Sequence, residues 1–354
     1  MAISVGAGSL DHGGAVVETS GGVKYAIYVD GGTLVQITKD IDTVPVLAGS
    51  AGVNTVFGSG SFAWVDAAID GNDIIHIAMA NSVTGGTRDL GHTVFDTSTD
   101  TWGTLTAPAA YTQQAPLTPG CSISLTESGY PWIAYVDNVK ISGGATDQVY
   151  AVYHNGVDWL TPEQVNATAS KLAHQTSPVV TTGPAYTVHA LWSDRQANSV
   201  YRVRSSGGTW GSETLYSGLS QNKHPRAILV KADGTHYAHM TYSNIVYENG
   251  TSLGVSAKDF YSSVGTVLSP TDGTTRYIFY IDNGSLGDLR VAPYDGSPIS
   301  SELLQTGTYR GVVVEWAYSF ENQSDEINYI FESFDGISSV IHYGSYSLSA
   351  GTQD

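Results

Sequence analysis

The sequence predicts an all-β protein, a seven-bladed β-propeller of four-stranded antiparallel blades. Three observations predict it: a strand motif that recurs at a steady spacing, a composition that suits short strands and tight turns, and a last repeat that lacks its outer strand. A strand-borne repeat of this length is typical of propellers and of solenoids. A solenoid would need capping ends, and the sequence shows none.

The recurring motif is six residues long. It reads aromatic or His, two residues, aromatic or Met, one residue, then Asp or Asn, and its copies begin at Tyr25, His76, Trp132, His189, His239 and Tyr277. A looser copy with one extra residue begins at Tyr329. We predict that the aromatic positions pack between neighbouring blades and that the terminal Asp or Asn starts the next turn through side-chain to backbone hydrogen bonds.

The composition supports strands rather than helices. The chain of 354 residues contains 40 Gly and 22 Tyr, and only 14% of its residues are charged. Glycine suits tight turns and aromatic residues suit strands, whereas helices would need more Ala, Leu, Glu and Lys.

Each repeat divides into four predicted strands, A to D from the axis outward. In the fourth repeat these are 177–180, 187–192, 199–204 and 209–215. In the second repeat they are 62–69, 74–80, 91–96 and 101–106, and in the third they are 122–126, 130–136, 148–154 and 158–165. Alternation of polar and apolar residues supports these assignments.

The last repeat predicts how the ring closes. It offers strands near 312–318, 327–334 and 338–346, but no fourth strand. We predict that residues 2–8 supply the missing outer strand, because such closure removes the exposed edges of an open sheet. No linker or change in composition interrupts the chain, so residues 1–354 are predicted to form one domain.

Charge and hydropathy narrow the partners and the location. The net charge of −18 disfavours nucleic acid and anionic membrane surfaces. The chain shows no apolar stretch long enough to span a membrane and no signal-peptide pattern at its start. Synthesis in a cytoplasm without export, combined with an exterior type of composition rich in Gly, Ser, Thr and Tyr, is typical of phage virion components. We therefore expect a virion or extracellular location.

Three predicted D strands have a Trp after a short turn, at Trp102, Trp159 and Trp210. This pattern resembles the Asp-box repeat of sialidase-like propellers, in which a turn with Asp and Gly precedes a Trp or Phe. Here Asp and Gly are never both in register, and repeats five to seven lack the Trp. The resemblance implies the propeller fold and, more weakly, carbohydrate chemistry.

A second resemblance concerns the start of strand A in repeats four and five. The segments 173–180 and 222–230, followed by His189 and His236, look like those of propeller polysaccharide lyases. In those enzymes a His just before strand A and a basic or Tyr partner surround an acidic sugar. The resemblance implies that a lyase would use His174, His224, Arg226 and Tyr201.

Ligands of propellers usually bind around the axis, on the face that the D–A and B–C loops share. We predict an anion or acidic-sugar pocket there, because Arg can pair with a carboxylate through two hydrogen bonds. Its predicted ligand-binding residues are His174, Gln175, Arg195, Asn222, Lys223, His224, Arg226, Tyr309 and Arg310.

Other chemistry has less support. Sialidases use three Arg and a Tyr–Glu pair, but the first repeat has no Arg, and no Tyr–Glu pairing can be read for Glu315 or Glu332. Two-carboxylate glycosidase chemistry stays open. The segment 282–288 is similar to a Ca²⁺ loop but lacks EF-hand spacing, so a glycine-rich turn explains it better. The His residues show no zinc spacing, and no cofactor is predicted.

The incomplete catalytic set favours a non-enzymatic propeller, namely a structural or attachment protein of a phage virion. Its partners would be other virion proteins or a host-surface glycan. The alternative is a lyase or glycosidase that acts on acidic polysaccharide. A third hypothesis is a multivalent lectin with a site between each pair of blades, although uneven repeats disfavour equal sites. The sequence leaves the oligomeric state open.

Overall fold

Seven antiparallel sheets surround a central axis in the computed structural model of the chain. The structure describes residues 3–7, 10, 13–30, 34–49, 53–54, 62–81, 87–112, 120–141, 144–167, 178–193, 199–216, 224–258, 264–269, 271–284, 287–296, 300–307, 309–314, 326–334, 338–348 and 352–353. Within these ranges, no helix is long and apolar enough to cross a membrane.

The first strand and the first three blades occupy the first half of the chain. The chain begins with β1 (Ile3–Ala7). Blade 1 contains β2 (Ala15–Glu18), β3 (Lys24–Asp30), β4 (Leu34–Lys39), β5 (Val46–Leu47) and β6 (Val53–Asn54). Blade 2 contains β7 (Phe62–Ile69), β8 (Ile74–Asn81), β9 (Thr87–Asp96), β10 (Thr101–Trp102) and β11 (Thr106–Thr112). Blade 3 contains β12 (Cys121–Leu125), β13 (Pro131–Ile141), β14 (Gly144–Tyr153) and β15 (Glu163–Gln164).

The remaining blades follow in the same order. Blade 4 contains β16 (Val179–Gly183), a 3₁₀ turn (Pro184–Tyr186), β17 (Thr187–Ser193), β18 (Ser199–Arg204) and β19 (Thr214–Tyr216). Blade 5 contains β20 (His224–Val230), β21 (His236–Tyr242), β22 (Ile245–Glu248) and β23 (Thr251–Ser256). Blade 6 contains β24 (Val264–Leu268), β25 (Arg276–Ile281), β26 (Leu289–Tyr294) and β27 (Glu302–Gln305). Blade 7 contains β28 (Tyr309–Val314), β29 (Glu326–Phe334), β30 (Ser339–Ser347) and β31 (Thr352–Gln353).

The predicted fold class is confirmed, and so is the predicted closure of the ring. Strand β1 pairs antiparallel with β30, so that Ile3 lies opposite Tyr343 and Ala7 lies opposite Val340. The sheet order of blade 7 is therefore β1-β30-β29-β28, with the N-terminal strand outermost. This pairing covers an edge of β30 that would otherwise be exposed.

The outer strands differ most from the predicted bounds. The single D strand predicted at 101–106 is divided into β10 and β11, both paired with β9. The register shifts between Thr106 and Ala109, around Pro108, which has no amide hydrogen to donate. In blades 3 and 4 the predicted D strands shrink to two and three residues, and Trp159 and Trp210 form isolated bridges with His154 and Arg204.

The inner strands of blades 2 to 4 are joined by short polar side chains. The amide of Ile123 donates to Asp66 Oδ2 at 2.9 Å, and the amide of Thr182 donates to Ser124 Oγ at 2.8 Å. These side chains satisfy backbone groups that have no sheet partner across the gap between blades. They hold the inner strands in place around the axis.

The seventh motif copy is out of phase with the other six. In the six motif copies that begin between Tyr25 and Tyr277, the side chain at the first position faces the following blade. Tyr25, for example, packs in a cluster with Phe95 of blade 2. Tyr329 instead packs against Phe279 of blade 6, the preceding blade, with ring centroids 5.0 Å apart. A shift of one residue in a strand moves every side chain to the other face. Asn328 therefore occupies the position next to blade 1, where it donates to Glu18 at 3.0 Å.

Candidate functional site

Five of the nine predicted ligand-binding residues lie outside the described residues. These five are His174, Gln175, Arg195, Asn222 and Lys223. The other four lie on the inner strands β20 and β28, with only the backbone described for Arg310. The predicted pocket on the D–A and B–C face therefore stays a prediction.

His224 and Arg226 line a central cavity of about 170 Å³ that the inner strands of all seven blades surround. The Nε–H of Arg226 donates to Thr241 Oγ1 at 2.9 Å. Asp66 also lines this cavity, and its carboxylate accepts the amides of Ile123 and Ala67. Burial outweighs these hydrogen bonds and raises the pKa of Asp66 to about 7.

The two predicted Tyr residues lie in the core and not on the described wall of this cavity. Tyr201 is 3% exposed, its hydroxyl lies 2.5 Å from His189 Nδ1, and its ring stacks on His236. Tyr309 is 9% exposed and donates to the carbonyl of Thr306 at 3.3 Å. The structure therefore brings His224 and Arg226 together and keeps Tyr201 between blades 4 and 5.

Of the carboxylates named for other chemistry, Glu315 lies outside the described residues, and Glu332 and Asp282 have partners. Glu332 is fully buried and accepts the amide of Leu10. Asp282, from the segment similar to a Ca²⁺ loop, forms an ion pair with Arg290 at 2.9 Å. In the described part of the chain, no three His, Cys, Asp or Glu side chains form a group that could hold a metal ion.

A larger cavity, of about 470 Å³, lies between blades 2 and 3. It opens on the face formed by the A–B and C–D loops, opposite the face predicted from sequence. We call it the 2/3 cleft. The side chains that carry its chemistry are Asp70, His76, His92, Tyr130, His154 and Trp159.

One wall of the 2/3 cleft is a chain of three polar side chains from blade 2. Asp70 Oδ1 accepts the amides of Asn72 and Ile74 at 2.9 Å each, which fixes the A–B turn. Its second oxygen, Oδ2, lies 3.7 Å from His76 Nε2. His76 Nδ1 in turn lies 3.3 Å from His92 Nε2. The turn thus holds a carboxylate and two imidazoles in fixed positions.

The opposite wall comes from the C–D loop of blade 3. Trp159 meets His92 and His154 edge-on, with ring centroids 5.0 and 5.1 Å apart. His154 Nδ1 accepts the amide of Gly156 at 3.2 Å, so Nε2 carries the proton of the neutral ring. Asn155 Oδ1 accepts two further amides of the same turn and so positions Trp159.

Electrostatics favours the neutral form of His92 and His154 and the ionised form of Asp70. Burial, together with the rings of His76 and His154, lowers the pKa of His92 to about 3. Burial and the ring of His76 also lower the pKa of His154, against the opposing effect of Asp158. Burial favours a higher pKa for Asp70, but His76 and the amides of Ile74 and Asn72 outweigh it and lower the pKa.

Two glycines shape the mouth of the 2/3 cleft. Gly156 has φ +93°, and a Cβ there would lie 2.6 Å from the ring of Tyr130. Gly129 has φ +78°, and a Cβ there would lie 3.2 Å from Asp70 Cβ. Glycine adopts positive φ without steric cost and allows this close approach. Tyr130, 37% exposed, can therefore lie close against the loop beside the opening.

Trp102, Trp159 and Trp210 occupy equivalent positions, each facing the preceding blade. Trp102 packs on Phe95 and against the backbone of Gly49 in blade 1. The Nε1–H of Trp210 donates to Glu163 of blade 3 at 3.0 Å. There, the guanidinium of Arg204 forms two 2.7 Å hydrogen bonds with Glu163 and stacks over Trp132. From the preceding blade, the backbone of Gly49 thus lies against Trp102 and the side chain of Glu163 against Trp210, whereas a cavity remains at Trp159.

The sequence places His76 at a motif position with a predicted packing role and Trp159 in the pattern that resembles an Asp-box, but nothing along the chain brings the two together. One signal was available: the turns next to Tyr130 and Trp159 contain Gly129 and Gly156. Its meaning depends on which blades are neighbours and on which loops share a face.

No family model and no curated protein matches the chain. Several solved structures are similar in fold. A lectin from Burkholderia pseudomallei has 14% identity and a TM-score of 0.58, covering 99% of this chain and 98% of that one. An α-L-arabinofuranosidase from Fusarium graminearum in complex with an iminosugar inhibitor has 12% identity and a TM-score of 0.59, covering 98% of each chain. A Hadza microbial sialidase has 12% identity and a TM-score of 0.52, covering 91% and 75%. At such identities the likeness shows the fold alone, a β-propeller shared by lectins and glycosidases.

Proposed function

We propose that this protein is a non-enzymatic, glycan-binding β-propeller and that the 2/3 cleft is its binding site. One observation carries the proposal. Of three equivalent positions next to a Trp, two are filled by atoms of the preceding blade, from Gly49 and Glu163, and the third is a cavity of about 470 Å³. Cavities of about 300–1,000 Å³ are typical of small-molecule sites.

The chemistry of the cleft fits a polyhydroxylated ligand. Trp159 and Tyr130 offer apolar ring surface to the C–H faces of a sugar, as aromatic side chains with a polar edge commonly do in binding sites. Asp70 Oδ2 can accept hydrogen bonds from hydroxyls, and the Nε2–H of His154 can donate one. Rigid turns hold all of these groups, which lowers the entropy cost of binding.

The carboxylates support binding rather than hydrolysis. Most glycosidases use a pair of carboxyl groups that flank the bond to be cleaved. The described wall of the 2/3 cleft contains one, Asp70, and the described wall of the central cavity contains one, Asp66. Neither wall, as far as it is described, offers the pair.

The filled positions at Trp102 and Trp210 favour one site over a multivalent lectin with equal sites. We further propose that the glycan belongs to a host surface and that the protein is displayed on a phage virion, as the composition indicates. Mass spectrometry of purified particles tests this setting. Stoichiometric presence would support it, and absence from every particle would overturn it.

The central cavity supports a second candidate, an enzyme acting on acidic polysaccharide. His224 and Arg226 lie two residues apart on β20, and Asp66 on the same wall has a pKa of about 7. A lyase would convert uronic-acid polymers into unsaturated products that absorb in the ultraviolet. Absorbance that grows with wild-type protein and not with His224→Ala would support this candidate. A flat signal across a broad panel would remove it.

A glycan array followed by calorimetry tests the proposed binding site. We expect Trp159→Ala to weaken binding of the best ligand about 30-fold, because truncating a central aromatic contact commonly costs about 2 kcal/mol. Tyr186→Ala is the matched control, since Tyr186 is an exposed aromatic residue in the A–B connection of blade 4, outside the cleft. Equal effects of both substitutions, or no glycan bound by the wild type, would contradict the proposal.

A further inference from the structure

The described wall of the 2/3 cleft contains a negatively charged side chain and no Lys or Arg to balance it. Among the described residues that line it, Asp70 is the one Asp, Glu, Lys or Arg, and every other side chain is apolar, aromatic, hydroxyl, amide or imidazole. No described Lys or Arg of the wall could pair with an anionic ligand. The protein as a whole also carries a negative net charge, −18.

Asp70 cannot turn away from a bound ligand. Two backbone amides hold its Oδ1 at 2.9 Å, and Gly129 lies directly against its Cβ. Its Oδ2 remains toward His76 and the cavity. A ligand hydroxyl can donate to Oδ2, whereas a ligand carboxylate would meet it as a like charge, which interfaces use to reject wrong partners.

Two of the imidazoles, His92 and His154, do not supply a compensating positive charge at neutral pH. His92 is buried against the rings of His76 and Trp159, and its pKa of about 3 keeps it neutral. His154 is shifted in the same direction. Protonating either ring would place a cation next to another imidazole at short range.

We propose that the 2/3 cleft selects neutral glycans and rejects sugars that carry a carboxylate, and that Asp70 is the residue that sets this selection. The inference rests on the proposed function of the same cleft. It assigns the site a substrate class opposite to the acidic sugars expected for the face around the axis. Uronic and sialic acids are the excluded class, and neutral hexoses and their oligomers are the accepted one.

A matched pair of ligands tests the inference: a neutral oligosaccharide from the array and its counterpart in which C6 is oxidised to a carboxylate. We expect the wild-type protein to bind the neutral member about 10- to 100-fold more tightly at low salt. The Asp70→Asn side chain still has an amide oxygen that accepts the turn amides. This variant should reduce the ratio of the two affinities by at least about fivefold. Asp233→Asn removes an equal charge from the A–B turn of blade 5, where Asp233 accepts the amide of Thr235, and lies off the cleft wall, so its ratio should match the wild type within about twofold.

Salt provides a second measurement that does not depend on any variant. Raising the salt concentration to 1 M shortens the screening length to about 3 Å, so binding of the carboxylate ligand by the wild type should strengthen relative to the neutral one. Equal affinity for both ligands in the wild type, or a ratio unchanged by Asp70→Asn, would overturn the selection by Asp70. Binding of neither ligand class would overturn the proposed function itself, and with it this inference.

Discussion

The backbone amide of Leu10 donates a 2.7 Å hydrogen bond to the carboxylate of Glu332, although 322 residues separate them along the chain. Glu332 is fully buried, and its other oxygen accepts the hydroxyl of Ser339 at 2.5 Å. The contact lies beside the pairing of β1 with β30. A buried acceptor thus joins the start of the chain to its last blade.

Replacing Glu332 by Ala should destabilise the folded protein by about 2–4 kcal/mol. The substitution removes the acceptor of one buried and one partly buried donor, and losing a hydrogen-bond partner in the interior costs about 1–3 kcal/mol per group. Urea denaturation measures the change. Glu127→Ala, at an exposed loop position, should stay within about 0.5 kcal/mol. A loss no larger than that of the control would show that Glu332 does not secure the closure.

Two ion pairs between blades should contribute different amounts to the stability of the folded protein. Glu248 is held by Arg276 through two hydrogen bonds of 2.8 and 2.9 Å and by His239 at 3.0 Å, and Arg276 is 5% exposed. Glu248→Ala should cost about 3–5 kcal/mol, because it leaves a buried charge without its partner. Glu163→Ala breaks the more exposed pair with Arg204 and should cost about 1 kcal/mol or less. Urea denaturation of both variants provides the comparison, and equal losses would contradict it.

Asp66 should make stability fall as the pH rises. Its pKa is about 7 in the folded protein against 3.8 ordinarily, so the folded state binds the proton more tightly between these values. The associated stabilisation is fully present below about pH 4 and is lost as the pH rises through 7, with an upper bound on the order of 4 kcal/mol. Denaturation at several pH values should show this decline in the wild type and a smaller one in Asp66→Asn. Parallel profiles for the two proteins would refute the assignment.

Gly156→Ala should weaken glycan binding, whereas Gly234→Ala should not. Both glycines have positive φ, +93° and +83°, so each substitution should cost about 1–2 kcal/mol of stability. A Cβ at position 156 would also collide with the Tyr130 ring, whereas nothing lies within 4 Å of one at position 234. Calorimetry with the array ligand should show a loss of about tenfold for the first variant alone. Equal affinities would mean that Tyr130 does not shape the cleft.

Local sequence patterns predicted much of the fold. Strand β18 was predicted with its observed bounds, and so was β7, because alternation of polar and apolar residues marks a strand wherever one face is buried. Outer strands were less predictable. Where Trp159 and Trp210 follow their turns, each makes only a single bridge, since outer strands have fewer partners and less alternation.

The sequence by itself determined the seven repeats, their antiparallel strands and the closure by the N-terminal strand, because each depends on a local pattern or on a missing strand. Tertiary structure alone decided the phase of Tyr329, since a shift of one residue selects the opposite blade. It also decided the location of the candidate site. Trp102, Trp159 and Trp210 look alike along the chain, and what fills the space beside each depends on side chains from the neighbouring blade. Around Trp159, His92 and the small residues of two loops leave that space open.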